Sequence, residues 1–308
     1  MSEATHDLGV KYLVDPYLNW AKAEGVPIVE GATLDLLTLE TRPWARFGLN
    51  GAICHVEGRC DFLSVFLFEL APGQSSAPMR RLFEDCFYVL EGRGVSEITL
   101  SDGLRQDIAW GEGCVITTPV NANCVHRADG AARARLVSFN DLRYLMGLYR
   151  NETFLFANPS PMSARQRLAI GTPLSVDLAP MQADASLQLG DSVIGADYLR
   201  LAPGARTQAV RQMQGAHLLG LSDEGRTIAR ESETSEPIAT PMRRGRLTGL
   251  PGMMFHQLEN NGAAPATFLK VELGSRASPI FRSRRAAYGD EDVYASGRAV
   301  ISAEPVTN

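Results

Sequence analysis

A cysteine and a histidine two residues apart are the first candidates for chemistry in this 308-residue sequence. Cys124 and His126 lie in an apolar, strand-like run, and alternate residues of a strand share one face. An imidazole beside an accessible thiol can activate it as a nucleophile. The pair alone is weak evidence, and a buried, inert cysteine is the simpler interpretation.

Common motifs of nucleotide binding and hydrolysis are missing from the sequence. It has no G-x-x-x-x-G-K-[ST] phosphate loop and no G-x-S-x-G nucleophile turn. It also has no H-E-x-x-H zinc motif and no paired CxxC. These enzyme classes therefore find no support in the sequence.

The elements that would position the candidate side chains are predicted strands. Apolar and polar residues alternate in short pieces over residues 33–72, with turns at 48–51 and 58–61. The apolar run at 86–90 reads as a strand that ends at the turn 91–94. About twenty residues later, the run 113–119 gives a second strand that ends at a proline.

This pair of segments recurs later in the chain, which indicates an internal duplication. The repeat lies 131 or 132 residues downstream of the first copy. The matching landmarks are Gly73 with Gly204, Gly113 with Gly245, and Pro119 with Pro251. Two landmarks separated by a similar gap in both copies make the duplication more convincing than any single match.

The repeated segments resemble the paired motifs of the cupin superfamily, and the duplication implies a bicupin similar to gentisate-dioxygenase-like proteins. The resemblance covers roughly residues 45–275. Its scaffold positions are Gly73, Gly92, Gly113, Pro119, Gly204, Gly245, Pro251 and Asn260. The resemblance implies an all-β fold of two jelly-roll-like antiparallel β-barrels in tandem, each with one pocket.

The predicted organisation has five parts. Residues 1–32 form an N-terminal arm with a short helix after Pro16, which is a favoured residue in a first helical turn. Residues 33–142 form barrel one, and residues 143–185 form a linker with a short helix at its start. Residues 186–275 form barrel two, and residues 276–308 form an extended tail.

The metal-ligand positions of the family are degenerate in barrel one. The resemblance places Met79, Arg81, Asp85 and Cys124 there, and a guanidinium cannot ligate a metal. Barrel one is therefore predicted to be metal-free. Arg81, Asp85 and His126 would line one pocket there. Alternatively, Arg81 pairs with Asp85 or its neighbour, and His126 is a satisfied structural residue.

Barrel two retains more of the implied site. The four positions fall on Val210, Gln212, His217 and His256. Two imidazoles and one amide are a poor metal cage, because divalent metals usually need three protein ligands. No cofactor is therefore expected. Fe(II), Mn or Zn held by His217, His256 and Gln212 is the alternative, and packing residues inherited from an ancestral site are a third interpretation.

The leading functional hypothesis is a small-molecule enzyme with metal-independent acid–base chemistry, such as isomerisation, cyclisation or elimination. Its substrate would be a small organic acid or an aromatic or enol compound. His217 and His256 would transfer protons while Gln212 orients the substrate. The substrate-binding residues in this hypothesis are Arg81, Asp85, His126 and Met254. A dioxygenase-like bicupin and a non-catalytic ligand-binding cupin are the alternatives.

Bulk properties limit the partners and the compartment. A net charge of −5 offers no general attraction to nucleic acid, and no apolar run approaches the roughly twenty residues of a membrane span. The N-terminus lacks a secretory pattern, and five cysteines are an odd number without metal spacing. We therefore expect a reduced, cytoplasmic protein that binds neither nucleic acid nor membrane, and whose barrel edges favour a homodimer.

Overall fold

The computed structural model of the chain describes residues 15–57, 63–100, 103–149, 151–157, 173–187, 189, 192–211, 215–232 and 234–273, together with the backbone of residues 304–305. These residues form two β-barrels in tandem, each built from two sheets that face each other. The structure confirms the predicted all-β architecture.

Barrel one has a large and a small sheet. The large sheet consists of β1 (Ile28–Gly31), β3 (Arg42–Trp44), β4 (Leu49–Val56), β5 (Ser64–Leu70), β7 (Asp85–Glu91), β10 (Cys114–Thr118), β12 (Ala134–Asn140) and β13 (Ser175–Asp177). Its order is β1-β4-β5-β12-β7-β10-β13, with β3 on β4. The small sheet consists of β6 (Met79–Arg80), β8 (Arg93–Thr99), β9 (Arg105–Gly111) and β11 (Asn123–Ala128), in the order β6-β11-β8-β9.

Barrel two repeats this plan. Its first sheet consists of β2 (Thr33–Asp35), β14 (Ala185–Leu187), β15 (Ile194–Leu201), β18 (Ala216–Gly220), β21 (Arg246–Leu250) and β23 (Ala266–Leu273), in the order β14-β15-β23-β18-β21-β2. Its second sheet consists of β16 (Ala205–Arg206), β17 (Val210–Arg211), β19 (Arg226–Arg230), β20 (Ile238–Pro241), β22 (Phe255–Glu259) and β24 (Glu304–Pro305). Its order is β20-β19-β22-β16-β24, with β17 also on β22.

The two barrels exchange edge strands, which differs from the predicted domain boundaries. β2 lies between β1 and β3 of barrel one in the chain, inside the predicted range of barrel one, but pairs with β21 of barrel two. β13 lies in the predicted linker but pairs with β10 of barrel one. An unpaired sheet edge accepts any nearby strand, so the barrel that each strand joins depends on tertiary contacts.

The buried apolar residues within the described ranges form three clusters. One cluster fills barrel one and another fills barrel two. The third lies between the large sheet of barrel one and the first sheet of barrel two, and we call it the inter-barrel core. In β5, Phe66 and Phe68 face the barrel-one interior, while Val65 and Leu67 face the inter-barrel core. Because both faces are covered, the strand is an almost continuous apolar run.

In the part of the chain that the structure describes, three helices pack on barrel one: α1 (Pro16–Ala23), α2 (Leu142–Tyr149) and α3 (Glu152–Ala157). Asp15 caps α1, where its side chain accepts the Tyr17 N–H at 2.9 Å. Tyr17 and Trp20 then pack into the barrel-one core. These helices confirm the helical arm and the short linker helix. The predicted tail lies outside the described residues, apart from β24.

Within the described ranges, no helix is long and apolar enough to cross a membrane.

Candidate active site

A buried ion pair lies in the interior of barrel one. Arg81 follows β6, and its Nη1 lies 2.9 Å from Oδ2 of Asp85 at the start of β7. Asp85 is fully buried and Arg81 is 4% exposed. The rings of Phe83 and Phe87 lie 5.2 and 5.7 Å from the guanidinium carbon. These residues define what we call the barrel-one chamber.

The ion pair leaves hydrogen-bonding capacity unused. Despite the short distance, the contact lacks hydrogen-bond geometry, so Nη1 and Nη2 of Arg81 and Oδ2 of Asp85 have no hydrogen-bond partner in the part of the chain that the structure describes. Oδ1 of Asp85 accepts the Ser138 hydroxyl. Burial raises the pKa of Asp85, and the Arg81 charge and the Ser138 hydrogen bond oppose this shift. A carboxyl whose pKa is raised by burial is a candidate general acid or base.

A pocket lies at the mouth of barrel one, and Arg81 is among its lining residues. It has a volume of about 570 Å³ and is bounded by the end of α1, the segment 45–47, the segment 78–81 and Phe156 of α3. Arg46 on its wall is held by Glu24, at 2.6 Å, and by Glu152. Arg80 donates to Asn121 at 3.0 Å. Arg81 therefore contributes to the pocket lining while its buried Nη1 and Nη2 have no hydrogen-bond partner among the described residues.

His126 takes part in a series of side-chain hydrogen bonds in the same barrel. Its Nδ1 lies 2.8 Å from the Ser96 hydroxyl oxygen, which also accepts the Trp110 Nε1–H at 2.9 Å. Its Nε2 lies 3.7 Å from the Cys124 sulfur. The ring also makes an edge contact with Phe87, with centroids 4.6 Å apart. The same-face prediction for Cys124 and His126 is confirmed.

The nucleophile interpretation of that pair does not match its surroundings. Burial lowers the pKa of His126 to about 3, and the Arg81 charge adds to this. Burial also raises the pKa of Cys124 to about 12. A neutral imidazole and a protonated thiol are therefore the stable forms, and both are enclosed.

A pH-dependent stability difference is expected for His126→Gln. An unfolded histidine binds a proton near pH 6.5, whereas buried His126 resists protonation down to about pH 3. This contribution to stability is therefore present above pH 6.5 and is lost as the pH falls toward 3, by about 2 kcal/mol between pH 7 and pH 5. The variant lacks this loss, so its deficit in unfolding free energy relative to wild type should shrink by about 2 kcal/mol over that interval.

Urea denaturation at both pH values measures this difference. Cys124→Ala, which keeps the imidazole, is the control and should keep the wild-type pH dependence. A deficit of His126→Gln that is equal at both pH values would contradict the enclosed, neutral state of His126.

Barrel two contains a different polar cluster, which we call the barrel-two chamber. His256 of β22 lies opposite Val210 of β17 in the strand register. Lys270 and Glu272 lie on the inward face of β23, and Nζ of Lys270 is 2.8 Å from Oε2 of Glu272. Asp197 of β15 is the register partner of Lys270. All four polar residues lie on the faces that carry the barrel-two apolar cluster.

The His256 imidazole is buried in this chamber. It is 4% exposed, and neither ring nitrogen has a partner with hydrogen-bond geometry among the residues that the structure places. Burial and the Lys270 charge lower the pKa of His256 to about 4, and the nearby Met254 carbonyl opposes the shift without a directed hydrogen bond. His256 is therefore a neutral imidazole at pH 7.

The predicted convergence of His217 with His256 is not what the structure shows. His217 shares its strand face with Leu219, which belongs to the inter-barrel core, and its ring centroid lies 5.9 Å from that of Phe139 in barrel one. Ala216 and Leu218 occupy the inward face of β18 instead. The difference arises from a one-residue shift in alignment, which moves every side chain of a strand to the opposite face.

The other predicted site residues are divided between the barrels. Gln212 lies outside the described residues. Met254 lies in the turn before β22, so it belongs with barrel two and not with Arg81. The inter-barrel core separates the two chambers, so Arg81 and His256 cannot contact one small molecule together.

Comparison with solved structures identifies the fold. No family model and no curated protein matches the sequence. Solved structures of oxalate decarboxylase from Bacillus subtilis, a two-barrel cupin, match the structure. A variant with a four-residue replacement gives a TM-score of 0.59 at 14% identity, over 91% of this chain and 90% of that chain. The structure at pH 4.6 gives 0.56 at 16% identity, over 80% and 76%.

The chain has the bicupin fold. At this level of identity the likeness concerns the fold alone.

The metal positions of this bicupin do not fit a metal ion in barrel one. Met79, Arg81, Asp85 and Cys124 hold them, and the Arg81 guanidinium already contacts the only carboxylate of the set. A fixed cation beside the carboxylate repels a metal, and arginine has no lone pair to donate.

The fit is also poor in barrel two. Because Val210 and Ala216 offer no donor and His217 faces away, His256 is the one imidazole at the family positions that the structure describes. Across the described ranges, no group of three His, Cys, Asp or Glu side chains is arranged to hold a metal. The proposed set of His217, His256 and Gln212 therefore loses at least one ligand.

Sequence reasoning missed Lys270, Glu272 and Asp197. The segment 268–273, Phe-Leu-Lys-Val-Glu-Leu, alternates, and its charged residues lie on the face opposite to Leu269 and Val271. Because that apolar face packs on barrel one, the charged face must point into barrel two. Two charged residues within an apolar strand were the signal in the sequence that could have identified these buried residues.

Proposed function

We propose that this bicupin is an enzyme that performs metal-independent acid–base chemistry on a small organic acid in the barrel-one chamber. One observation carries the proposal: Arg81 is among the residues that line the 570 Å³ pocket, and its buried Nη1 and Nη2, beside Asp85, have no hydrogen-bond acceptor among the described residues. An unpaired buried donor is costly, and a ligand carboxylate can accept two N–H groups from one guanidinium.

Substrate binding would itself activate Asp85. In the free protein, the Arg81 charge opposes the burial that raises the pKa of Asp85. When a ligand carboxylate pairs with Arg81, the Arg81 charge lowers the pKa of Asp85 less than before. Asp85 therefore becomes a stronger base. Asp85 then removes a proton from the carbon next to the carboxylate or carbonyl group. Returning the proton to another carbon gives isomerisation, and loss of a leaving group gives elimination.

In this proposal the acid–base role predicted for His217 and His256 from the sequence passes to a residue of barrel one. Arg81 keeps its role as carboxylate-binding residue, Asp85 becomes the base, and His126 supports the chamber wall. The matched structures are named for oxalate, which is also a small carboxylate, and this supports the substrate class. Homodimerisation and a cytoplasmic location stay predictions from the sequence.

Proton exchange tests the proposal without knowledge of the product. The protein is incubated in D2O with a panel of small 2-oxo and 3-oxo carboxylates, and loss of the carbon-bound proton signal is followed by NMR. We expect exchange for at least one acid. Arg81→Gln should weaken its binding at least about 100-fold, because two charge-assisted hydrogen bonds are lost. Asp85→Asn should retain binding and lose exchange.

Matched variants keep this test interpretable. Arg81→Lys retains the charge without the fork of donors and should bind more weakly than wild type but better than Arg81→Gln. Arg105→Gln, an exposed arginine on β9, should behave as wild type. Exchange in Arg81→Gln with an unchanged affinity for the acid would overturn the proposal. Arg81-dependent binding without exchange would instead favour a non-catalytic ligand-binding cupin.

A further inference from the structure

Three arginines, Arg46, Arg80 and Arg81, are among the residues that line the pocket at the mouth of barrel one. In the proposed function, Arg81 binds the substrate carboxylate. Arg46 is paired with two carboxylates, those of Glu24 and Glu152. Arg80 donates a hydrogen bond to an amide oxygen, and no carboxylate among the described residues pairs with it. Because an arginine stays charged in a protein, Arg80 brings to this lining a positive charge without a carboxylate partner.

Asn121 holds Arg80 at the pocket. Its side-chain oxygen accepts the Nε–H of Arg80 at 3.0 Å, and its backbone N–H donates to the Arg81 carbonyl oxygen at 2.6 Å. Asn121 is 2% exposed and has a φ of 60°, a conformation that asparagine adopts more readily than most residues. Residues held in such conformations cluster at active sites and at ligand-binding sites. Asn121 therefore fixes the Arg80 guanidinium through Nε, and no described residue accepts from its two terminal nitrogens.

The pocket is larger than a small monocarboxylate needs. Its volume of about 570 Å³ lies within the range of about 300–1,000 Å³ that is typical of sites for drug-sized ligands. An acid as small as pyruvate, bound to Arg81, would leave most of this space to water. The pocket therefore has room for a second functional group of the substrate.

The charges around the pocket favour the Arg80 side for a second anionic group. Glu24 and Glu152 both contact Arg46, so the Arg46 side carries two negative charges and one positive charge. An anion on that side would be repelled, whereas an anion beside Arg80 would gain a charge-assisted hydrogen bond.

We propose that Arg80 is a specificity-determining residue that binds a second anionic group of the substrate, a carboxylate or a phosphate, and that Asn121 positions it. The substrate is then an acid with two anionic groups. This role of Arg80 rests on the proposed function, in which Arg81 binds the first carboxylate. Arg80 is the last residue of β6 and Arg81 follows it, so their side chains leave the backbone in different directions. The two anionic groups are therefore separated by several bonds.

Paired acids of equal length test this role. Binding to the intact protein is measured by isothermal titration calorimetry for 2-oxopentanoate against 2-oxoglutarate, and for 2-oxohexanoate against 2-oxoadipate. Glycerate against 3-phosphoglycerate tests phosphate as the second group. In at least one pair, the more highly charged acid should bind at least about tenfold more tightly to the wild type, because Arg80 adds a charge-assisted hydrogen bond. This affinity ratio is taken within one protein sample, so a loss of folded protein does not change it.

Three variants connect the affinity ratio to Arg80. Arg80→Gln should reduce it to about one. Asn121→Gly accepts the positive φ but lacks the side-chain oxygen, so it should keep the fold by circular dichroism and reduce the ratio at least about threefold. Arg127→Gln changes an exposed arginine on β11 that is not part of the pocket lining, and it should keep the wild-type ratio.

The outcomes separate this role from the proposed function. Wild-type ratios near one in all three pairs, with binding that Arg81→Gln abolishes, would overturn the role of Arg80 and leave the proposed function intact. A raised ratio that Arg80→Gln leaves unchanged would overturn it as well. An Arg80-dependent ratio without proton exchange would support the role of Arg80 and contradict the proposed catalysis. No binding of any acid would overturn both.

Discussion

Phe139→Ala is expected to lower the free energy of unfolding by about 4 kcal/mol. Phe139 is fully buried in the inter-barrel core, where its ring lies 5.9 Å from the ring of His217. Its strand also pairs on both sides, with Val65 of β5 and Cys86 of β7. Removing the ring leaves a cavity at a site that strands on both sides hold in place. Urea denaturation followed by circular dichroism measures the loss.

Two control variants test whether the loss of stability depends on the volume and burial of the removed side chain. Phe139→Leu keeps most of the apolar volume and should cost about 1 kcal/mol. Ile238→Ala removes an apolar side chain that is 62% exposed and should change stability by less than about 0.5 kcal/mol. If Phe139→Ala costs no more than Ile238→Ala, the inter-barrel core does not form as described.

The fold was predictable because its turns depend on glycine. Gly73, Gly113, Gly204 and Gly245 all have positive φ, between 71° and 86°. Residues with a Cβ rarely adopt this conformation, so glycine remains at the same turn in both copies of the repeat. The landmarks that revealed the duplication are therefore the residues that the backbone geometry requires.

The site was less predictable because side-chain direction depends on register. Counting 131 residues from Asp85 reaches Ala216, which faces inward, and counting 132 reaches His217, which faces the inter-barrel core. Both offsets occur among the landmarks, and the sequence does not show where the extra residue lies. A shift of one residue reverses the face of a whole strand, so the prediction that His217 and His256 lie close together was wrong.

Burial of the charged residues could not be read from sequence because it depends on both barrels. Lys270 and Glu272 point inward only because Leu269 and Val271 are covered by barrel one. In a single barrel with a solvated outer face, the same alternation would place the charges in water. The packing of one barrel on the other therefore decides which residues form the barrel-two chamber.

The wall of the barrel-one chamber depends on one glycine, and Gly94→Ala is expected to lower the free energy of unfolding by about 3 kcal/mol. A Cβ at this position would lie 2.1 Å from the Arg127 carbonyl oxygen and 2.4 Å from the Trp110 ring. The β11 backbone must shift to relieve the contact with the carbonyl oxygen, which weakens its pairing with β8, and Trp110 must shift as well. Its Nε1–H then leaves the Ser96 hydroxyl that also contacts His126.

Gly111→Ala on the adjacent strand is the matched control. A Cβ there meets no atom within 4 Å, so its cost should stay within about 0.5 kcal/mol. Urea denaturation gives the two losses, and Trp110 fluorescence should change in Gly94→Ala alone. Equal losses in the two variants would mean that Gly94 does not hold Trp110 against the chamber wall. A loss confined to Gly94→Ala would show that close backbone packing behind Trp110 supports the chamber in which Arg81 and Asp85 meet.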